Sequence, residues 1–110
     1  MTDHVYENFP IESIAALKEV LSSHKDLCGL NVTIPYKEAI IKYLDEVDPE
    51  AQKIGAVNTI KITKSGKLKG YNTDYLGFKK TLEPLLNSNH KKALILGTGG
   101  ASKAVAYALK

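Results

Sequence analysis

The chain has 110 residues, of which 44% are apolar and 25% charged, and its formal net charge is +3. This is the length of one small domain with a single hydrophobic core, and the composition excludes both a disordered chain and two complete domains. All fifteen basic residues are lysines. An anion site made from this chain must therefore use lysine, hydroxyl groups or backbone amides, unless an arginine is supplied from outside it.

The residues that usually indicate compartment and metal chemistry are sparse. Cys28 is the single cysteine, and the three histidines are scattered without the spacing of metal ligands. No stretch has the roughly twenty apolar residues of a membrane span, and the first residues lack a signal-peptide pattern. The lysines between residues 61 and 69 are typical of a solvated hairpin, because no aromatic residue or arginine is interleaved with them. We expect a cytoplasmic protein without a metal site and without a membrane or nucleic-acid partner.

The first half of the chain predicts helices around one strand. Apolar residues at helical spacing predict a helix over residues 12–23, and a β-branched run predicts a buried strand over residues 28–34. Pro35 is expected to open a helix that runs to about residue 44, since proline is tolerated in the first helical turn. Asp48 is expected to cap a short helix that ends near Gly55.

The second half predicts a hairpin, a helix and one strand–helix unit. Strand-like runs at 57–63 and 68–72 are separated by turn residues, and a helix interrupted at Pro84 is expected after them. Residues 87–92 are polar and aperiodic, which is typical of a linker. The apolar run at 93–96 is typical of a parallel strand covered on both faces, and a helix-prone segment closes the chain. This order of elements indicates an α/β fold.

A glycine-rich turn follows the apolar run. It comprises Gly97, Thr98, Gly99, Gly100 and Ala101. Glycines between a strand and a helix let a pyrophosphate approach the backbone, and the amides at the helix N-terminus attract its charge. Ser102 stands where the dinucleotide-binding pattern has its third glycine, which is a departure from that pattern. An ordinary strand-to-helix turn is the alternative interpretation.

A second group of polar residues surrounds the first predicted strand. Asn31 and Thr33 project to the same side of a strand, and a helix beginning after it places Lys37 in its first turn. Asn58 and Asp74 add an amide and a carboxylate. The simpler interpretations are that Lys37 is an exposed helical lysine and that Asp74 is a helix N-cap. Each of these residues has an ordinary interpretation when taken singly, and only together do they indicate a functional site.

Four segments together resemble shikimate dehydrogenases in their order and approximate spacing. They are Asn31-Val32-Thr33-Ile34-Pro35-Tyr36-Lys37, Gly55-Ala56-Val57-Asn58-Thr59, Gly70-Tyr71-Asn72-Thr73-Asp74-Tyr75-Leu76-Gly77 and Gly97-Thr98-Gly99-Gly100-Ala101-Ser102. The resemblance covers almost the whole chain, from Tyr6 onward. Four motifs in one order make it specific.

This resemblance implies a fold and a reaction. The fold is α/β, with a mostly parallel sheet flanked by helices, followed by the first strand–helix unit of a Rossmann-type domain. Residues 1–90 would form the substrate-binding domain without its first strand, and residues 91–110 the start of the NADP-binding domain. The reaction is the reversible reduction of 3-dehydroshikimate to shikimate by NADPH, in the shikimate pathway to chorismate and the aromatic amino acids.

The same resemblance implies residue roles. Lys37 and Asp74 correspond to the catalytic pair, and Thr33, Lys37, Asn58 and Asp74 to the residues that bind shikimate. The turn from Gly97 to Ala101 corresponds to the loop that binds the pyrophosphate of NADP. A ketone that gains hydride develops negative charge on oxygen, which a nearby ammonium stabilises and protonates. A quinate-using relative and a non-catalytic binding fragment remain as alternatives.

The chain also departs from the family pattern. Family members are more than twice as long, begin with a strand and helix that carry a Ser-x-Ser motif for the substrate carboxylate, and continue into a segment that binds the 2′-phosphate of NADP. Neither part is found in these residues. We therefore expect a truncated piece with little dehydrogenase activity by itself. We also expect homodimer formation through the sheet edge that the missing first strand would leave exposed.

Overall fold

A four-stranded mixed sheet with helices packed against it forms the larger part of the molecule. The structure, a computed structural model, describes residues 3–110. The strands are β1 (Gly29–Asn31), β2 (Glu46–Val47), β3 (Thr59–Ile62) and β4 (Leu68–Tyr71). The α-helices are α1 (Leu17–Ser23), α2 (Pro49–Ile54), α3 (Asp74–Leu82) and α4 (Gly100–Ala108). Short 3-10 helices cover Ile14–Ala16, Ala39–Tyr43 and Glu83–Leu85.

The strand order in the sheet is β1-β3-β4-β2. The predicted hairpin is confirmed, since β3 and β4 are antiparallel neighbours, and its turn contains Gly66 at a φ of 84°. β1 pairs antiparallel with β3, while β2 pairs parallel with β4. The predicted α/β class with flanking helices is confirmed, but the sheet is mixed where a mostly parallel one was expected. A short connection between β3 and β4 permits only antiparallel pairing, because a parallel crossover needs a dozen or more residues.

One hydrophobic cluster joins the sheet to the helices that cover it. Its buried members are Leu17, Ile40, Ala51, Val57, Ile60 and Leu68. Ile40 and Ile60 are each only 1% exposed. The predicted strand at 28–34 contributes less to this core than expected: β1 has three residues and lies at the sheet edge, with Leu30 half-buried between exposed neighbours.

Local capping explains where α2 begins and ends. The Asp48 carboxylate accepts a hydrogen bond of 3.2 Å from the Glu50 amide, and Gly55 ends α2 at a φ of 79°. Both features confirm the prediction for this helix. The helix predicted over 12–23 is also present, although its first turn is a 3-10 turn and regular α-helix begins at Leu17.

The helix predicted to start at Pro35 is wrong. Residues 34–38 form turns, the Ile34–Pro35 peptide bond is cis, and helical structure begins only at Ala39, as a 3-10 helix. Two hydrogen bonds of Tyr36 fix the segment: its amide donates to the Thr33 carbonyl over 2.9 Å, and its hydroxyl donates to the Ile11 carbonyl over 2.7 Å. These bonds hold the backbone in a turn, against the local preference for a helix.

The strand predicted at 93–96 is also absent. This segment is irregular, and Leu94 and Leu96 are 84% and 88% exposed. A parallel strand is stabilised by hydrogen bonds to its neighbours, and no strand among residues 3–110 pairs with it. The preceding residues 87–92 are exposed and irregular, as predicted for a linker. In the part of the chain that the structure describes, every helix is too short or too polar to cross a membrane.

α4 nevertheless packs firmly against the rest of the molecule. Ala104 is fully buried in a second cluster with Ile54 of α2 and Ala56. The rings of Tyr75 and Tyr107 meet edge to face, with centroids 5.4 Å apart. This helix is therefore held by α2 and α3, without a strand beside it.

Candidate active site

An ion pair between Lys37 and Asp74 lies at the centre of the candidate site. The distance between Lys37 Nζ and Asp74 Oδ2 is 2.6 Å, and the two side chains are 16% and 36% exposed. The Lys37 carbonyl accepts a hydrogen bond of 2.8 Å from the amide of Val57, which fixes the backbone below the side chain. A turn of the chain and the beginning of α3 thus bring together two charges that are 37 residues apart in sequence.

Asp74 does not serve as the side-chain cap of α3, because Asn72 does so. The Asn72 Oδ1 atom accepts hydrogen bonds from the amides of Asp74 (2.9 Å) and Tyr75 (3.3 Å). Its Nδ2 atom donates to the Ala56 carbonyl over 3.0 Å, and Asn72 is only 6% exposed. Both oxygens of Asp74 are therefore available to other side chains, and the helix N-terminus favours their negative charge.

Asn58 connects the strand edge to Asp74. Its Nδ2 atom donates to Asp74 Oδ1 over 3.0 Å and to Thr73 Oγ1 over 2.9 Å. Its Oδ1 atom accepts from the Thr59 hydroxyl and from the Thr73 amide. The amide group of Asn58 thus makes as many hydrogen bonds as its two hydrogens and two lone pairs permit.

The pair has spare hydrogen-bonding capacity that a ligand can use. An ammonium has three N–H donors and an ionised carboxylate has about four acceptor positions. The contacts described above use one donor of Lys37 and one position on each oxygen of Asp74. Lys37 can therefore donate to a second oxygen while Asp74 holds it in place.

Thr33 lies apart from these three residues. Its side chain is exposed and faces a groove of about 640 Å³, whose lining also includes Asn31 and Tyr6. The Asn31 amide donates to the Tyr6 hydroxyl over 3.3 Å within this groove. Lys37, Asn58 and Asp74 are not among its lining residues. The structure brings together three of the four predicted substrate-binding residues and leaves Thr33 on the adjoining surface.

The three glycines of the turn differ in backbone angle and in the space around the α-carbon. Gly97 has a φ of 130°, which side-chain-bearing residues rarely adopt. Gly99 has ordinary extended angles, with φ at −77° and ψ at −173°, and a Cβ atom on it would meet no protein atom within 4 Å. Gly100 is confined, since a Cβ atom there would lie 2.8 Å from Lys37 Cβ. Thr98 and Ala101 are exposed.

This turn fits a nucleotide pyrophosphate. The packing of the chain does not require a glycine at residue 99, so the open space beside it is available to a ligand that approaches the backbone. The first amides of a helix have no intrahelical partner, and Gly99 is the residue directly before the first turn of α4. The Ser102 hydroxyl, at the position of the missing third glycine, donates to the Gly99 carbonyl over 2.7 Å and so stays within the turn.

Sequence reasoning missed Asn72 and Thr73 as members of the site. Asn72 caps α3 and Thr73 receives a hydrogen bond from Asn58. A signal was available, because an asparagine directly before a predicted helix is a preferred capping residue. Asp74, two residues later, is a competing candidate for the same cap.

Two ionisable groups outside the site have shifted pKa values. The Glu50 carboxylate, which accepts a hydrogen bond from the Tyr107 hydroxyl, raises the pKa of Tyr107. The nearby carboxylate of Glu46 raises the pKa of Lys69. The first of these contacts joins α4 to α2.

The chain is similar to known proteins of one family. The model of the shikimate dehydrogenase substrate-binding domain matches residues 1–60. A shikimate dehydrogenase (NADP(+)) of Staphylococcus aureus is 51% identical over 110 residues, which cover 97% of this chain and 40% of that protein.

Solved structures give the same result. The crystal structure of shikimate dehydrogenase 1 from Peptoclostridium difficile has a TM-score of 0.79 and 46% identity, over 92% of this chain and 38% of that one. The enzyme from Thermus thermophilus, in complex with NADP(H) and shikimate, has a TM-score of 0.74 and 45% identity, over 88% and 37% of the two chains. The chain thus spans about two fifths of the length of the relatives that it matches.

Proposed function

This chain belongs to the shikimate dehydrogenase family, and we propose that it supplies the substrate-binding and catalytic residues of an NADP-dependent shikimate dehydrogenase. The reaction is the reversible reduction of 3-dehydroshikimate to shikimate. The observation that carries the proposal is the contact of 2.6 Å between Lys37 and Asp74, with Asn58 bonded to the same carboxylate. The relatives named for this activity support it.

Lys37 is the acid–base group of the proposed reaction. NADPH, when bound, supplies the hydride to the ketone carbon. The Lys37 ammonium donates a hydrogen bond to the carbonyl oxygen, stabilises the negative charge that develops there and transfers a proton to it. In the reverse direction the neutral amine removes the proton of the hydroxyl group. Asp74 keeps the amine oriented in both directions.

Asp74 and Asn58 bind the neighbouring hydroxyl groups of the substrate. Asp74 accepts a hydrogen bond at a free position of its carboxylate. Asn58 releases its bond to the Thr73 hydroxyl, which is exposed and finds water instead, and donates to the substrate. Thr33 contributes its hydroxyl from the adjoining surface. Because shikimate is itself an anion, the single ammonium of Lys37 also attracts it.

The two ends of the chain have different proposed roles. Residues 1–90 belong to the substrate-binding domain and residues 91–110 to the start of the NADP-binding domain. The turn formed by Gly97, Thr98, Gly99, Gly100 and Ala101 holds the pyrophosphate through backbone amides at the start of α4. The open space beside Gly99 supports this role.

The proposal extends to assembly and compartment. β1 is an edge strand with one neighbour, and Val5, Tyr6 and Ile34 near it are 83%, 75% and 82% exposed. A second copy that pairs along this edge gives a homodimer, which sedimentation at increasing concentration would detect; a constant monomer mass would contradict it. The exposed free thiol of Cys28 supports a reducing, cytoplasmic location.

The substrate assignment is tested by titrating shikimate into the isotope-labelled chain and following amide resonances. Shifts are expected at Lys37, Asn58 and Asp74, the three residues of the polar cluster. Asp74→Asn keeps the shape but removes the charge, and it is expected to weaken binding by about ten- to a hundredfold, since a hydrogen bond to a charged group contributes about 1.5–3 kcal/mol. Lys37→Met should weaken shikimate binding little in this chain. Measured in a full-length enzyme that carries these residues, the same substitution is expected to lower kcat about a hundredfold or more.

Two controls make this test specific. Quinate, which lacks the ring double bond, distinguishes a quinate-using relative if it binds more tightly than shikimate. Glu83→Gln removes a carboxylate on the 3-10 helix after α3, outside the polar cluster, and should leave binding unchanged. Absence of shifts at the cluster with saturating shikimate, or equal binding by the Asp74→Asn variant, would contradict the proposed site.

A further inference from the structure

Gly100 places the glycine turn directly against the polar cluster. It is the first residue of α4. A Cβ atom at this position would lie 2.8 Å from Lys37 Cβ, 3.3 Å from Lys37 Cδ and 3.4 Å from Ala56 Cβ. The first of these distances is shorter than van der Waals contact between carbon atoms allows. The hydrogen atom of glycine is therefore the only side chain that fits beside the stem of Lys37.

Two hydrogen bonds hold Lys37 beside residue 100. Its carbonyl is bonded to the Val57 amide at 2.8 Å, and its Nζ atom is bonded to Asp74 Oδ2 at 2.6 Å. Both ends of the residue are fixed, and Ala56, which adjoins the same space, is fully buried. An added methyl group at residue 100 must then displace either the lysine stem or α4.

α4 is fixed as well. Its Ala104 is fully buried with Ile54 and Ala56. Lys103 Nζ lies 3.1 Å from a carboxylate oxygen of Glu38, the residue that follows Lys37. The ion pair of Lys103 and the buried contacts of Ala104 thus hold the start of α4 beside the side chain of Lys37.

We propose that Gly100 is a positioning residue for Lys37: its lack of a side chain lets the start of α4 pack on the aliphatic stem of the lysine and keep the ammonium on Asp74. A displacement of the start of α4 would then also displace the Lys37 ammonium from Asp74. The proposal rests on the proposed function for the catalytic role of Lys37, but the contact itself is measurable without substrate or cofactor.

The test measures the reactivity of individual lysines. The chain is treated with a limiting amount of acetic anhydride, and the acetylation rate at each lysine is read by mass spectrometry of peptides. An amine that is held by a carboxylate and largely covered reacts slowly. Gly100→Ala is expected to raise the rate at Lys37 about fivefold, the factor that corresponds to about 1 kcal/mol for a partly exposed ion pair.

Two variants serve as controls. Gly77→Ala adds the same methyl group on α3, where no atom beyond the adjoining residues and backbone of the helix itself lies within 4 Å, and should leave the rate at Lys37 unchanged. Ala104→Leu is the positive control: it overpacks the buried contact of α4 with α2, and because α4 packs on the lysine stem it is also expected to raise the Lys37 rate. If Gly100→Ala raises the Lys37 rate by less than twofold, or no more than Gly77→Ala does, the positioning role is overturned.

A double variant covers the case in which Gly100→Ala does not fold. Lys37→Gly removes both lysine atoms that the new methyl group would meet. If the clash with Lys37 is the cause, Lys37→Gly/Gly100→Ala recovers cooperative urea unfolding. No recovery would overturn the proposal. Because shikimate binding is measured separately, the loss of this proposal would leave the substrate assignment intact, and the reverse also holds.

Discussion

The polar cluster of Lys37, Asn58 and Asp74 and the segment at 93–99, which precedes α4, are held by different kinds of interaction. In the cluster each side chain is hydrogen-bonded to another. Asp74 begins a capped helix, Asn58 adjoins the sheet, and Lys37 lies in a turn whose carbonyl accepts a hydrogen bond from the Val57 amide. In the segment at 93–99 Leu94 and Leu96 are exposed and no ladder forms. Only the helix after it is fixed, by packing on α2 and α3.

The difference shows what each kind of structure requires. A side-chain cluster is complete once its few partners are present, and all of them lie within this chain. A buried parallel strand needs hydrogen-bonding neighbours and apolar cover on both faces. Residues 93–96 are irregular, and Leu94 and Leu96 are exposed, because no strand among the described residues pairs with them.

The largest expected effect is a difference in unfolding free energy between two substitutions, one of an apolar residue in the core that supports the cluster and one in the segment before α4. Ile60→Ala, in the centre of the core at 1% exposure, is expected to lower the free energy of unfolding by about 2–5 kcal/mol. Leu94→Ala should change it by less than about 0.5 kcal/mol, because that side chain is already in solvent. Urea unfolding followed by circular dichroism measures both. A cost at Leu94 comparable to that at Ile60 would show that the segment is buried in solution.

The next effect concerns the buried cap of α3. Asn72→Ala removes the acceptor for two amides and the donor to the Ala56 carbonyl, and it should lower the free energy of unfolding by about 1–3 kcal/mol. It should also release Asp74, so that the acetylation rate of Lys37 rises. Asn87→Ala is the matched control, since Asn87 accepts its bond in an exposed turn. Equal costs for the two asparagines would contradict the capping role.

A pH-dependent effect tests the attachment of α4. The hydrogen bond to Glu50 raises the pKa of Tyr107 above its ordinary value of 10.0, so the folded state holds this proton more tightly than the unfolded state does. The stabilisation is complete below pH 10.0 and is lost as the pH rises through the raised value.

The urea concentration at the midpoint of unfolding should therefore fall as the pH rises above 10.0, and it should fall less steeply in Tyr107→Phe. The pKa of Lys69, which the Glu46 carboxylate raises, produces a slope of the same sign that remains in the variant. An unchanged alkaline slope in Tyr107→Phe would mean that the hydroxyl makes no stabilising bond to Glu50 in solution.

The smallest effect is expected at the exposed ion pair between Lys103 and Glu38. Glu38→Gln should lower the free energy of unfolding by about 0.2–1 kcal/mol at low salt, and the difference should disappear in about 1 M salt, where charges are screened. Glu83→Gln, which removes a second exposed pair with Lys79, gives the reference for a contact between α3 and the 3-10 helix that directly follows it. If the loss of unfolding free energy in Glu38→Gln persists at high salt, Glu38 stabilises the protein through packing rather than through its charge.

The sequence by itself determined the features that depend on neighbouring residues. The cap at Asp48, the end of α2 at Gly55 and the hairpin turn at Gly66 each follow from the chemistry of a few adjacent positions. The order of four motifs was also sufficient to indicate the family. The residues of the proposed site were named from these motifs, although their spacing gave no distances.

Tertiary structure decided what depends on residues far apart in sequence. The bonds from Tyr36 to Thr33 and Ile11 replaced the expected helix at Pro35 with a turn, and pairing with β3 turned the first strand into a sheet edge. The contact between Gly100 and Lys37 joins residues that no local pattern relates. Such contacts arise because packing optimises the whole molecule at once, and a local preference of a fraction of a kcal/mol per residue yields to it.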